Sequence, residues 1–482
     1  MEKVGNMKTI ILGFDAVEPK YIIDKYELFP NLSKLINDGA SAKYSAFVQK
    51  GYQDSYLSEM NWSSIYTGLT PSQHKIAAID STGARNTPNM YLFQNLQPFW
   101  ELLNKNGMKV GLWSADCCVD PVGIDGYVVS SKYHMIEGKA ELRLSPREIQ
   151  ICEKDKYILE CLPGNPPPRV YPKMLSQQGY KFEDLKIDEN LAWEAVEKYH
   201  FQESVKNFEE ELDFYFTAMR NAQVKYPVDV MFFYTPTTDL IAHCCMCSDD
   251  NDVLIQAYQV LDRKVGELLD ELKPDNVIVM SDHGMMNFKD IVECSDEKIR
   301  REAFGARDEV LWLKNRYIAF EAHNGALLFT AHALKGTFIA AGKDIKHTTI
   351  NEMRTLDVYP TILELCGCRV PEDREGFVLD IFNRPCINDK ILCEDEIEYK
   401  KIAVIQSHDP NVTDIIVNEI YLQNRFSKIT LIGDLRYEEI YRNNPRISDF
   451  KSFEDYEMND FEEVYSGYCN TMTGKMSHLR VK

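Results

Sequence analysis

The chain has 482 residues, of which 44% are hydrophobic, and it carries a formal charge of −21 at pH 7. This length exceeds one simple core and predicts either one large domain with insertions or two to three domains. The strong negative charge argues against non-specific binding to nucleic acids or to anionic membranes.

The cysteines and the N-terminus predict the cellular compartment. Thirteen cysteines are an odd number and their spacing is irregular, which argues against a disulfide framework. The first residues lead directly into a strand-like run rather than a signal peptide. No segment reaches the roughly 18 uninterrupted apolar residues that a membrane span needs. We therefore expect a reduced, cytoplasmic protein with free thiols.

The first part of the chain alternates strands and helices. A short β-branched run ends in Gly-Phe-Asp15, which is typical of a buried parallel strand with a carboxylate at its C-terminal end. After a helix at 30–39, Ser58 and Asn61 lie in a polar loop that runs into a short helix, and either side chain can serve as its N-cap. A helix at 99–107 and a strand at 109–114 follow.

The alternation of strands and helices becomes irregular between residues 125 and 226, and we expect an insertion or cap over the sheet edge there rather than core. The strand–helix alternation then returns, which predicts an α/β domain with a largely parallel sheet. After residue 386, two further strand–helix pairs form a tail. The later predicted elements are strands at 228–234, 276–280, 336–342, 402–407 and 429–433 and helices at 203–221, 253–272 and 356–367.

Asp15, Asp239 and the Asp282-His283 pair each follow a predicted apolar strand. Ligands in open α/β sheets gather outside the carboxyl ends of the strands, so these residues can converge on one site. Three carboxylates and three imidazoles form a mixed set that suits Zn²⁺, with Mn²⁺ or Fe as alternatives, better than Ca²⁺ or Mg²⁺. They divide naturally into two sites of three. The six residues are Asp15, Asp239, His243, Asp282, His283 and His332.

Each of these signals also has an ordinary structural explanation. A strand-end aspartate most often caps a helix or forms a turn, and the i, i+4 pair Asp239 and His243 could be a surface pair. The Asp282-His283-Gly284 run is the most specific signal, because a charged pair directly after an apolar strand has little structural use. The Cys244-Cys245-x-Cys247 cluster lacks a second cysteine pair at zinc-finger spacing, so those thiols are interpreted as packing or inert surface.

Taken in order, the motifs resemble the alkaline phosphatase superfamily, specifically its nucleotide pyrophosphatase/phosphodiesterase branch. The resemblance covers roughly residues 8 to 380 and is specific as a set. The segments that carry it are Gly-Phe-Asp15, Ser58-x-x-Asn61, Thr67-Gly68-x-x-Pro71-x-x-His74, Asp239-x-x-x-His243, Ser-Asp282-His283-Gly-Met, His332 and Asp357-Val-Tyr-Pro-Thr.

The resemblance implies an alkaline-phosphatase-like α/β fold and a division of the ligands. The catalytic domain would span residues 1–385, with the inserted cap at about 125–226, and residues 386–482 would form a C-terminal α/β extension. Two divalent ions would be bound, Zn²⁺ with Mn²⁺ as the alternative. Ser58 would be the nucleophile and a metal ligand, and the Asn61 amide would donate to a phosphate oxygen. Asp239, His243 and His332 would hold one ion, and Asp15, Asp282 and His283 the other.

The activity implied by the resemblance is that of a metal-dependent phosphodiesterase/nucleotide pyrophosphatase, which acts on a small phosphate ester, with nucleotides among the candidate substrates, through a covalent phosphoserine. The branch usually has Thr, Pro and Gly where this chain has Ser58, Met60 and Lys75. Serine is chemically competent in the nucleophile role. Three alternatives stay open: a phosphomonoesterase, a phosphoryl transferase or mutase, and an inactive nucleotide-binding scaffold protein.

Overall fold

The computed structural model describes most of the chain, with gaps between the described ranges. These ranges are 7–46, 57–74, 96–115, 123–130, 133–136, 139–142, 150–151, 153–167, 201–245, 252–287, 330–333, 335–407, 413, 416–417, 420, 426–438, 447–470 and 475–480.

Twenty strands and nine α-helices lie in these ranges. The strands are β1 (Thr9–Phe14), β2 (Ala40–Ser45), β3 (Val110–Trp113), β4 (Gly126–Ser130), β5 (Tyr133–Ile136), β6 (Lys139–Leu142), β7 (Gln150–Ile151), β8 (Val230–Thr235), β9 (Asn276–Met280), β10 (Gly284–Asn287), β11 (Thr330–Ala333), β12 (Lys335–Gly342), β13 (Thr348–Ile350), β14 (Val378–Leu379), β15 (Ile391–Leu392), β16 (Lys400–Ile405), β17 (Ser427–Gly433), β18 (Asp449–Ser452), β19 (Glu463–Asn470) and β20 (Lys475–Arg480). The helices are α1 (Pro19–Ile22), α2 (Pro30–Asp38), α3 (Leu57–Thr67), α4 (Pro71–His74), α5 (Phe99–Lys105), α6 (Phe201–Lys225), α7 (Thr237–Cys245), α8 (Asp252–Leu272) and α9 (Val358–Leu365).

The central sheet has nine strands in the order β13-β2-β12-β9-β1-β8-β3-β4-β7. Strand β1 lies in the middle and pairs in parallel with β8 on one side and β9 on the other. Strand β12 is antiparallel to both of its neighbours, β9 and β2. The largely parallel α/β sheet predicted from the sequence is therefore confirmed.

The two faces of the sheet carry two separate apolar cores. Along β1, Ile10 and Leu12 belong to one core and Ile11 to the other, as the two-residue period of a strand requires. The first core includes buried residues of α2, α6 and α8, and the second includes those of α3, α5 and α9. A strand covered on both faces is apolar throughout, which explains the β-branched run before Asp15.

The closest approach of α3 to the sheet depends on Gly13. A Cβ atom at this position would lie 2.7 Å from Cη2 of Trp62, a distance too short for two carbon atoms. Trp62 is fully buried and forms an edge-to-face ring contact with Phe232 of β8. The glycine before Phe14 and Asp15 thus allows the helix that carries Ser58 to pack directly on β1.

Part of the range 125–226 belongs to the core, whereas the sequence predicted an insertion outside it. Strand β4 pairs in parallel with β3 and extends the central sheet. Helix α6 packs against α8, and its residues Phe208, Leu212 and Met219 are buried in the first core. The apolar face of α6 was overlooked in the sequence, because the charged and apolar residues of an amphipathic helix are interspersed along the chain.

The C-terminal segment forms a separate five-stranded sheet in the order β18-β17-β16-β19-β20. The two strands predicted there, β16 and β17, pair in parallel at its centre, and β18, β19 and β20 were not predicted. Strand β20 is antiparallel to β19 and closes one edge. Within the described ranges, no helix is long and apolar enough to cross a membrane.

Candidate functional site

Three predicted ligands meet at the carboxyl ends of adjacent parallel strands. Asp15 directly follows β1, and Asp282 and His283 follow β9 after a single serine. All three side chains are buried, and their ligand atoms lie within 4.8 Å of one another. Strand pairing alone brings these residues together, although 267 positions separate Asp15 and Asp282 in the sequence.

The imidazole of His283 is oriented by the backbone of the next residue. Its Nδ1 lies 3.0 Å from the carbonyl oxygen of Gly284, which can only accept a hydrogen bond, so Nδ1 carries the proton. In the neutral ring, Nε2 then presents its lone pair to the cluster. Nε2 lies 3.4 Å from Oδ1 of Asp15 and 3.3 Å from Oδ2 of Asp282. A backbone carbonyl that fixes the tautomer is the usual support of a metal-binding histidine.

The buried carboxyl group of Asp282 has surroundings that favour a nearby cation. Burial, and after it the neighbouring charge of Asp15, raises the pKa of the Asp282 carboxyl well above its ordinary value. Among the described residues, its buried Oδ2 accepts no hydrogen bond. Two buried carboxylates beside an imidazole lone pair repel one another unless a positive charge lies between them. The residues present therefore fit a divalent metal ion with mixed N/O ligands, as Zn²⁺ and Mn²⁺ accept.

Ser58 lies directly against this cluster. Its hydroxyl donates to Oδ1 of Asp15 at 3.2 Å, and its Oγ is 3.0 Å from Nε2 of His283. Ser58 is the second residue of α3 and only half-buried, so it can be reached from outside. The prediction of Ser58 or Asn61 as the N-cap is wrong, because α3 begins at Leu57 and both residues lie within the helix.

Asn61 lies on α3 three residues after Ser58, which places both side chains on the same helix face. It is fully buried, and its Oδ1 accepts a hydrogen bond from the hydroxyl of Thr355 at 3.2 Å. Thr355 lies in the short 3₁₀ turn that precedes α9, and this residue was not predicted from the sequence to belong to the site. Only the fold shows this contact, since 294 positions separate the two residues.

The backbone places the second predicted ligand trio close to the first. Asp239 lies in the first turn of α7, and its charge contributes to raising the pKa of Asp282. His243 is one turn further along α7, which packs against β10 and β11. His332 lies in β11 opposite Met285 of β10, two residues after His283. The side chains of His243 and His332 lie outside the described part of the structure.

The turn after Asp15 is held by strained and hydrogen-bonded backbone. Ala16 has a φ of 56°, a left-handed conformation that costs a non-glycine residue free energy. In this conformation its N–H donates to Oδ1 of Asp282 at 3.3 Å. The hydroxyl of Thr238 donates to the carbonyl oxygen of Asp15 at 2.6 Å and ties α7 to the same turn. Strain concentrated beside the cluster is typical of a functional site.

Two buried residues beside the site were missed from the sequence. The hydroxyl of Tyr234, in β8, donates to Oδ2 of Asp15 at 2.6 Å. Glu18 accepts the backbone N–H of Met285 at 2.7 Å, and burial raises the pKa of its carboxyl to about 7. For Tyr234, the available signal was a polar side chain within an apolar strand, one position before the strand ends. Glu18 carried no such signal, because it lies outside the strand, at the N-cap of α1.

Comparison with protein families gives the identification. A family described as type I phosphodiesterase / nucleotide pyrophosphatase matches residues 9–365. The chain belongs to this family. The order of the motifs predicted this family, whose members hydrolyse phosphoric esters. The matched range contains all the predicted site residues.

Two solved structures are similar to this chain. One is human ectonucleotide pyrophosphatase / phosphodiesterase 5, with 14% identity, coverage of 78% of this chain and 100% of that chain, and a TM-score of 0.43. The other is the inactive murine ectonucleotide pyrophosphatase / phosphodiesterase 5 in complex with AMP, with 14% identity, coverage of 77% and 97%, and a TM-score of 0.38. No curated protein matches the chain.

Proposed function

We propose that this phosphoric ester hydrolase is a two-metal phosphodiesterase that uses Ser58 as its nucleophile and forms a covalent phosphoserine. The observation that carries the proposal is the position of Ser58 Oγ, 3.0 Å from His283 Nε2 and 3.2 Å from Asp15 Oδ1. A serine hydroxyl within reach of two ligand atoms is where a metal-activated nucleophile belongs.

Asp15, Asp282 and His283 would hold one divalent ion, and Asp239, His243 and His332 the other, with Zn²⁺ proposed and Mn²⁺ as the alternative. When bound, such ions lower the pKa of a nearby hydroxyl and stabilise negative charge on phosphate oxygens. The positive charge of two divalent ions exceeds the negative charge of three carboxylates by one unit. The site would therefore be positive within a chain whose net charge is −21.

The residues of the chain have separate roles in the proposed reaction. Ser58 Oγ forms a bond to phosphorus as the bond to the leaving group breaks, and the serine proton passes to water. Hydrolysis follows when a water oxygen bonds to phosphorus, the bond between phosphorus and Oγ breaks, and a proton from that water returns to Oγ. Asn61 would donate from its amide to a non-bridging oxygen as negative charge develops there.

The charge of the site favours diesters. A neutral amide such as that of Asn61 stabilises one oxygen without requiring the second negative charge of a monoester. A site with a net charge near +1 therefore suits a singly charged diester better than a dianionic monoester. Nucleotide esters are the proposed substrates, because the family is named for nucleotide pyrophosphatases as well as phosphodiesterases.

The deciding experiment compares substrates on the same enzyme preparation. Purified protein loaded with Zn²⁺, and separately with Mn²⁺, is assayed with bis(p-nitrophenyl) phosphate, a p-nitrophenyl ester of a nucleotide, and p-nitrophenyl phosphate. We expect higher kcat/KM for both diesters than for the monoester. The Ser58→Ala protein, prepared in parallel, measures contaminating phosphatase. Faster turnover of the monoester would replace this proposal with a phosphomonoesterase.

A further inference from the structure

The two carboxylate oxygens of Asp15 have different environments. Oδ1 is the oxygen that accepts from Ser58 at 3.2 Å and lies 3.4 Å from Nε2 of His283. Oδ2 instead accepts the hydroxyl of Tyr234 at 2.6 Å. We propose that Tyr234 is a positioning residue that holds Asp15 with Oδ1 toward the metal and keeps Oδ2 out of its coordination. This inference rests on the metal dependence proposed above.

A buried tyrosine hydroxyl usually finds some hydrogen-bond acceptor, so the contact could be only structural. The identity of the acceptor indicates a positioning role as well. Tyr234 is 2% exposed and donates to a carboxylate of the ligand cluster rather than to a backbone carbonyl. A neutral donor stabilises Asp15 beside Asp282 without adding a positive charge that would compete with a metal ion. Such outer partners of metal-binding carboxylates orient the ligand and raise metal affinity.

The phenol of Tyr234 is itself held in place. Its ring centroid lies 5.0 Å from that of Trp62, with the planes at 78°, an edge-to-face arrangement. Trp62 is fixed in turn by its contact with Gly13, two residues before Asp15. Because Trp62 lies four residues after Ser58 on α3, one packed unit connects the nucleophile helix to the ligand. Tyr234 therefore presents its hydroxyl to Asp15 from a packed, buried position.

The consequence for metal binding follows from the geometry of Asp15. A carboxylate with one oxygen engaged by a phenol offers a single oxygen to a metal ion. Zn²⁺ accepts such one-oxygen ligands in small, nearly tetrahedral sites, whereas Ca²⁺ collects six to eight oxygens and often binds both oxygens of a carboxylate. Loss of the phenol should weaken Zn²⁺ binding at the Asp15 site by about 10–100-fold, the usual effect of removing an outer partner.

The test is a Zn²⁺ titration of metal-free protein against a chromophoric chelator, which reads affinity without catalysis. Tyr234→Phe removes the hydroxyl and keeps the ring. Tyr359→Phe is the matched control, because Tyr359 is also buried and donates its hydroxyl to the carbonyl oxygen of Gln97 rather than to a ligand. We expect Tyr234→Phe to bind one ion about 10–100-fold more weakly and the other unchanged, while Tyr359→Phe matches the wild type.

A double-mutant cycle separates positioning from general destabilisation. In an Asp15→Asn background, Tyr234→Phe should change the Zn²⁺ affinity no further, because the carboxylate it orients is gone. Equal Zn²⁺ affinity in wild type and Tyr234→Phe would overturn the role of Tyr234 and leave the two-metal proposal intact. A wild-type protein that binds no Zn²⁺ or Mn²⁺ would overturn both. A loss in Tyr234→Phe that persists undiminished in the Asp15→Asn background would also overturn the positioning role.

Discussion

Thr355 donates its hydroxyl to Oδ1 of Asn61, and both side chains are fully buried. The contact joins α3, which carries Ser58, to the turn before α9. Because the oxygen and the nitrogen of an amide are bonded to the same planar carbon, the hydrogen bond from Thr355 to Oδ1 also constrains where Nδ2 points. We infer that Thr355 sets the direction in which Asn61 can donate to a phosphate oxygen.

Thr355→Val should lower kcat for bis(p-nitrophenyl) phosphate by roughly 3–10-fold, the equivalent of one lost hydrogen bond of about 0.5–1.5 kcal/mol. Thr355→Ser retains the hydroxyl and should keep near wild-type turnover. Combining Thr355→Val with Asn61→Ala should cost no more than Asn61→Ala alone. Fully additive losses in steady-state kinetics would show that Thr355 acts by another route.

Asn61→Ala should narrow the preference for diesters over monoesters. Removing one donor to the developing negative charge costs about 2–4 kcal/mol of transition-state stabilisation. We expect that loss in kcat/KM for the diester and a smaller one for p-nitrophenyl phosphate. An equal reduction for both substrates would mean that Asn61 does not discriminate between them.

Ser58→Ala should retain its metal ions and lose turnover by several orders of magnitude, on the order of 10³ or more, because the covalent route disappears. Ser63→Ala is the matched control on the same helix: its buried Oγ has no hydrogen-bond partner among the described residues. Metal content is measured by elemental analysis and turnover with the diester. Wild-type rates in Ser58→Ala would exclude Ser58 as the nucleophile.

Asp282→Asn and His332→Ala should each weaken the binding of a different ion. Losing one direct ligand should lower affinity by at least the 10–100-fold seen when an outer partner is removed. Dialysis against a weak chelator, followed by elemental analysis, should leave about one ion in each variant and none in the double variant. Two ions retained in both single variants would contradict the proposed division of ligands.

The neutral state of His74 should make stability depend on pH. Burial lowers the pKa of its imidazole to about 4, and its Nε2 lies 3.0 Å from Oγ of Ser64. The unfolded chain has an ordinary histidine pKa of about 6.5, so it binds the proton first as the pH falls. The stabilisation is therefore complete above about pH 6.5 and is lost as the pH falls toward 4, by up to about 3 kcal/mol.

The measurement is urea unfolding of wild type and His74→Gln between pH 7.5 and 4, followed by tryptophan fluorescence. Other groups, such as Glu18, titrate in both proteins and cancel in the difference. The stability gap between the two proteins should shrink as the pH falls through this range. A gap that stays constant would show that His74 is not held neutral.

The sequence alone determined the parallel strands that carry the site, β1, β8 and β9, and the polar residues that follow them. Asp15 and the Asp282-His283 pair were predictable, because a buried parallel strand is a local apolar run and its end is marked by the first charged residue. Their meeting at one edge of the sheet follows from a general property of parallel sheets. The family was equally predictable from the sequence, since the order of motifs along a chain can be recognised without a structure.

Only the tertiary structure decided how the site is supported. The start of α3, the core position of α6, and the contacts of Tyr234 with Asp15 and of Thr355 with Asn61 were not predictable from the sequence. Hydrogen bonds of this kind join residues 219 and 294 positions apart, and no local pattern records which hydroxyl will face which acceptor. That choice depends on how whole helices pack on the sheet. One example is the packing of α3, where the missing side chain of Gly13 leaves space for Trp62.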